Sequence, residues 1–257
     1  MNWSRVKTIL ILFFLCTNLF LASVIVMSGN RVRTISDEII HSTGEILKNN
    51  RILMNEKLIP KRVSFLPELA GIPAAEDEEW ISGILGGQAE KLGEGEYRGE
   101  RGTLTVQDQT ISFSGSIPLE KMQEGEANAI MNFMQQRGMD RSQIRIQQLP
   151  EGGVWRLTEQ VNEAEIFDQG FDLTVENGAV VKLTGSWLVS LKKKKEAAAQ
   201  KNAAEILLDF VGVESRPQDE VTITSLEPGY AYSETLYPVW RISLSDGSVY
   251  LMDAREK

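Results

Sequence analysis

"LYPVWRISLSDGSVYLMDA", Leu236–Ala254, contains four residues, "VWRI" at Val239–Ile242, that nearly repeat "VWRL" at Val154–Leu157. Asp246-Gly247 is a two-residue hairpin signal. A turn there pairs Leu244 with Val249 and Ile242 with Leu251, so that apolar residues meet on one face. Trp240 falls on that face and is expected to anchor the sheet to a helix over Lys195–Val211. In that helix Ala199, Ala203, Leu207 and Phe210 form the apolar stripe, and Gly212 closes it. The earlier copy reads the same way. In "EANAIMNFMQQRG" Ala127, Ile130, Met131 and Met134 lie at helical spacing before Gly138. A strand with Ile144 and Ile146, the "VWRL" strand and a hairpin at Asn177-Gly178 follow. The pattern predicts an α+β chain in which a helix-plus-antiparallel-sheet module is used twice, over 126–190 and 191–257. Trp155 and Trp240 are the expected core residues of the two copies. Arg156 and Arg241 point the other way, to solvent or a neighbouring carboxylate, and are the candidate interface residues. Lys192–Lys195 reads as a solvated flank of the second helix.

Upstream the pattern is less regular. "ISDEIIHSTGEILKNN" (Ile35–Asn50) predicts a helix with Ile35, Ile39, Ile46 and Leu47 near one face and Asp37 and Glu38 in the first turn. His41, the only histidine, lies in it as a structural residue. Residues 28–60 thus form a juxtamembrane helix and first strand, and 61–125 a linker and hairpin region. In the latter, "EDEEW" (Glu76–Trp80) lacks the alternating ligands and glycine of a calcium loop and starts a helix with Trp80 and Ile81 turned inward. In "GTLTVQDQTISFSG" (Gly102–Gly115), Leu104, Val106, Ile111 and Phe113 alternate with polar residues about a polar turn, a hairpin pattern.

The chain has 257 residues, 42% of them hydrophobic and 25% charged, which suits a folded protein with a sizeable core. A net charge of −9 argues against nucleic acid as a partner. The uncharged segment Thr8–Met27 is the exception to this mixture. As a helix it is long enough to cross a hydrocarbon core of about 30 Å. It is too long, and too poor in small residues at its end, for a cleaved signal peptide. Cys16, after two phenylalanines and a leucine, does not suit a lipidation site. The prediction is a transmembrane helix over 8–27, with 1–7 cytoplasmic and the folded part extracytoplasmic, a slight lean of the flanking basic residues. Asn18 sits near the middle of that helix. It either bonds to a neighbouring helix in the membrane or is a tolerated passenger.

Catalytic chemistry is hard to assemble from this sequence. There is no GxSxG or HExxH, one histidine and one cysteine. Carboxylates are plentiful, but a small repeated module offers no evident cleft for a two-carboxylate hydrolase. No catalytic, metal or cofactor-binding residue is expected.

The opening "MNWSRVKTILILFFLCTNLFL" resembles the YycI (WalI) regulatory proteins in its early tryptophan, alternate basic residues, long apolar helix and polar residue before "LFL". "ILKNNRILMNEKLIPKR" followed by "PEL" is similar to that family's helix-strand-proline segment. "GYAYSETLYPVWRISLSDGSVYLMDA" resembles its closing strands, and also the PepSY-like modules of protease propeptides. The resemblance implies a single-pass membrane accessory protein that modulates a WalK/YycG-type sensor histidine kinase together with a YycH-like partner, in cell-wall homeostasis. A membrane-anchored PepSY-like protease inhibitor or propeptide-type binding module is the alternative it implies.

Overall fold

The computed structural model describes residues 13–20, 32–150, 152–194, 199–217 and 219–256. Sixteen strands and four helices follow the short helical stretch 13–20. Strand β1 (Val32–Thr34) pairs only with β3 (Arg62–Ser64). Between them come helix α1 (Asp37–Asn49) and β2 (Ile52–Met54), and after them β4 (Leu69–Pro73) and α2 (Glu78–Leu85). Strands β5 (Glu90–Gly93), β6 (Glu96–Gly99), β7 (Gly102–Gln107) and β8 (Thr110–Pro118) form a meander. Helix α3 (Glu126–Gln136) leads to β9 (Ile144–Gln148), β10 (Val154–Val161), β11 (Ala164–Glu176), β12 (Ala179–Ser186) and β13 (Leu188–Lys193). Helix α4 (Ala203–Val211), β14 (Val221–Tyr232), β15 (Leu236–Leu244) and β16 (Val249–Asp253) complete the chain.

The expectation of an α+β chain built from two repeated helix-plus-small-sheet modules is overturned. All strands except β1 and β3 join one mixed sheet of 14 strands. The cause is β11, whose 13 residues are more than one hairpin needs. Its second half pairs with β10 and β12, while Ile166 near its start pairs in parallel with Tyr230 of β14. Upstream strands also enter this sheet. β2 lies parallel to β14, and β4 is pinned between β13 and β15.

No helix among the described residues is long and apolar enough to cross a membrane. The expected span 8–27 is described only over 13–20, a helical stretch with Asn18 and its neighbours exposed; the remainder of that span lies outside the described residues.

Local sequence accounts for the helix ends. Ser36 caps α1 by accepting from the Ile39 N–H, Asp77 caps α2 through the Trp80 N–H at 3.0 Å, and Asn202 forms a capping box with Glu205 at α4. That capping box moves the start of the last helix to Ala203. The lysine run is therefore no helix flank: Lys192 and Lys193 are in β13, opposite Ala70 and Leu69. Helix α1 buries Ile40, Thr43 and Leu47, leaving Ile39 and Ile46 exposed, so its inward stripe is rotated from the one predicted.

The final hairpin also departs from expectation. Gly247 has φ 87°, its N–H donates to the Leu244 carbonyl, and the Leu244 N–H donates to Ser248. This is a three-residue loop with a glycine bulge rather than a two-residue turn. The register slips by one, pairing Ser243 with Val249 and Arg241 with Leu251. Since side chains alternate, the slip turns Val249 and Leu251 outward, both exposed, and sends Tyr250 and Met252 to the core. At Asn177-Gly178, by contrast, both residues have positive φ and Glu176 pairs with Ala179, a tight turn of two residues.

Two principal cores lie under the helices. In one, α2 and α3 cover β7–β12, and Trp80, Phe171 and Trp187 stack in a column with centroid spacings of 5.6 Å. In the other, α1 and α4 cover β2, β14, β15 and β16. A smaller cluster, including Val161, Ile166, Leu188 and Tyr230, fills the junction.

Candidate functional site

Trp155 belongs to the first core and Trp240 to the second, at 9% and 2% exposure. Each indole N–H donates toward its helix region: Trp155 to Glu126 Oε2 at 3.1 Å, Trp240 to the Lys201 carbonyl at 3.4 Å. Alternation then places Arg156 and Arg241 on the sheet face that the helices leave uncovered.

On that face both arginines line one open groove of about 700 Å³, at the junction between the halves of the sheet. Gly170 and Gly185 form part of its floor. Gly185 has φ 144°, and a Cβ there would meet the Gly170 carbonyl oxygen at 2.0 Å, so the strands approach too closely for any side chain. The walls are charged. Arg156 grips Asp172 through two hydrogen bonds of 2.8 Å, the bidentate geometry that suits guanidinium and carboxylate. Arg241 donates to Glu165 at 2.9 Å and to Glu227, and its guanidinium lies 4.2 Å from the centre of the Phe167 ring. Arg145 reaches the other oxygen of Glu165 at 3.6 Å. Burial alone would lower the Arg241 guanidinium, but the adjoining Glu227 and Glu165 carboxylates raise it above its ordinary value.

This is a surface of fixed charge pairs around one aromatic ring. Its arginines are each held by carboxylates, and Asp168, a further groove carboxyl raised by burial, accepts the Tyr232 N–H at 2.8 Å, so the surface offers directional hydrogen bonding and shape to a partner. His41 is remote from it, exposed and facing Glu45 and Glu56. Among the described residues, no group of three His, Cys, Asp or Glu side chains is placed to hold a metal ion.

The residues that complete the groove, Arg145, Glu165, Phe167 and Asp172, and Glu227, which holds Arg241, do not stand out in the sequence, because their partners depend on strand register. One residue left a signal. Glu159 shares the parity of Trp155, Leu157 and Val161 in "VWRLTEQV", and it is wholly buried. Its Oε2 accepts the Leu188 N–H at 3.0 Å and its Oε1 has no partner among the described residues. Burial, with a smaller contribution from Asp168, pushes its carboxyl up to about 8, so it is largely neutral at pH 7.

Comparison with known protein families and with curated proteins finds no matching family model and no matching protein.

Proposed function

We propose that this chain is a membrane-anchored accessory regulator that modulates a WalK/YycG-type sensor histidine kinase, together with a YycH-like partner, by protein contacts and without a reaction of its own. The kinase and the companion are implied by the sequence resemblance of the N-terminal segment and closing strands. The topology, one span at 8–27 with the N-terminus in the cytoplasm and the sheet outside, rests on the uncharged segment and its flanking basic residues. The observation that carries the contact mechanism is the groove. Two arginines from distant parts of the chain meet on one uncovered sheet face, each oriented by carboxylates, and Arg241 lies over Phe167. Arginine and aromatic side chains are the groups that most often dominate protein interfaces. A single interhelical bond at Asn18 contributes about 0.6 kcal/mol on average, too little to hold a complex, so the folded part supplies most of the affinity.

The test is co-purification of the full chain with the kinase and its companion from membranes. Arg156→Glu, a change at an exposed ion pair, should reduce recovery at least about tenfold, as for one interface anchor. Asn18→Leu should change it little. Undiminished recovery with Arg156→Glu and with Phe167→Ser, both still folded, would reject the groove as the docking surface.

A further inference from the structure

A second site lies on the helix-covered side, where α2 ends. Gly86 and Gly87 terminate that helix with positive φ, and the chain there forms a shallow cavity of about 500 Å³. Its polar side chains are Arg101, Arg137, Ser82 and Gln88, with no carboxylate among them. Arg137 lies over Gly83, its Nη1 3.3 Å from where a Cβ would stand, and Arg101 lies over Gly86 in the same way. Neither arginine forms an ion pair among the described residues. Arg101 makes one long hydrogen bond, 3.5 Å to the Gly83 carbonyl, and Arg137 only stacks on Phe133 at 5.4 Å.

Capping of α2 uses only one of these guanidinium donors, in the long Arg101 bond to the Gly83 carbonyl. The Ser82 carbonyl already accepts from the Gly86 and Gly87 N–H groups, and that of Leu85 from the Arg101 main chain. Burial and the neighbouring positive charge of Arg101 lower the Arg137 guanidinium, the opposite of what a carboxylate partner does. Arg137 Nε is buried without an acceptor among the described residues. So is the indole Nε1 of Trp80, only 4% exposed, in the wall of the adjoining cavity of about 480 Å³ that Arg137 also lines. The acids that line that adjoining cavity are otherwise occupied or turned out: Asp77 caps α2, and Glu79 is exposed at the rim. Donors and positive charge accumulate here without a paired carboxylate among the described residues.

We infer that Arg101 and Arg137 form a binding site for a phosphate oxyanion, either inorganic phosphate or a phosphate monoester. A carboxylate has two oxygens and satisfies one guanidinium fork; a phosphate group with three terminal oxygens serves two forks and matches two charges.

Calorimetric titration of the full chain in detergent micelles tests this, with sodium phosphate, glycerol phosphate and sodium acetate at one ionic strength. Saturable binding of phosphate with acetate silent is expected. Arg101→Gln should weaken it at least about tenfold, the worth of one charge-assisted hydrogen bond. Arg137→Gln should abolish it; should that variant fail to fold, Arg101→Gln decides alone. Tighter binding of glycerol phosphate than of phosphate assigns the ester as ligand, and equal binding assigns the phosphate group itself. No saturable phosphate signal, an equal response to acetate, or unchanged binding in Arg101→Gln overturns the site.

Discussion

Glu159 Oε2 accepts the main-chain N–H of Leu188 at 3.0 Å, joining β10 to the start of β13 where the two halves of the sheet meet. The carboxyl is wholly buried and its other oxygen is unpaired among the described residues, so the neutral form is the one this position favours.

A pH dependence of stability follows from that preference. The folded-state carboxyl titrates at about 8, against 4.5 for the ordinary group. Between these values the folded state holds a proton that the unfolded state has lost. Stability therefore falls as pH rises through that window, by at most about 1.4 kcal/mol per unit. Glu159→Gln keeps the acceptor to Leu188 and should flatten the slope. Urea melts of both proteins at pH 5.5 and 8 measure it.

The two tryptophans should be equally costly to remove. Trp155→Ala and Trp240→Ala each leave a large void beneath a helix, and a loss of about 3–5 kcal/mol is expected for either. Trp→Phe at each position, which keeps most of the packing but deletes the N–H, should cost about 0.5–1.5 kcal/mol. Chemical denaturation of the four variants separates packing from the hydrogen bond.

Arg156 and Arg241 should differ sharply in their effect on stability. The Arg156–Asp172 pair is solvated, with about half of each side chain exposed, and Arg156→Ala should cost under about 1 kcal/mol. Arg241 is three-quarters covered and adjoins Glu165, itself 19% exposed, so Arg241→Met leaves a largely buried carboxylate with only the longer 3.6 Å pair to Arg145. A loss of about 1–3 kcal/mol is expected. Thermal melts in low and high salt check both, and the Arg156 effect should shrink more with salt.

The slipped register of the last hairpin predicts which face of β16 tolerates charge. Leu251→Asp should fold with little loss, whereas Met252→Asp, directed into the α4 core, should lose several kcal/mol or fail to fold. Gly247→Ala, at φ 87°, should cost about 1 kcal/mol through backbone strain alone. Midpoints of urea unfolding distinguish the three.

Topology is tested by placing one cysteine at Glu94, exposed on the β5–β6 turn, in a Cys16→Ser background. An impermeant thiol reagent should label it in intact cells, as expected for a sheet outside the membrane. Labelling only after permeabilisation would reverse the orientation.

Features set within a few residues were legible before folding: the inward Trp80 and Ile81, the Asn177-Gly178 turn, the alternation of Leu104 and Phe113, and the outward parity of Arg156 and Arg241. Hydrophobic period and turn chemistry act over that range, and a dipeptide such as Asn-Gly restricts its own φ angles wherever it occurs. Pairing does not work this way. Whether β11 stops as a hairpin strand or runs on to meet β14 depends on Ile166 and Tyr230, far apart in the chain, finding a shared apolar cluster. A single extra loop residue, Ser245 ahead of Asp246 and the bulged Gly247, was enough to exchange the inner and outer faces of β16, because the strand repeat is two residues. The groove inherits both effects. Arg156 finds Asp172 through register, and Arg241 finds Glu165 only because β11 crosses from one half of the sheet to the other.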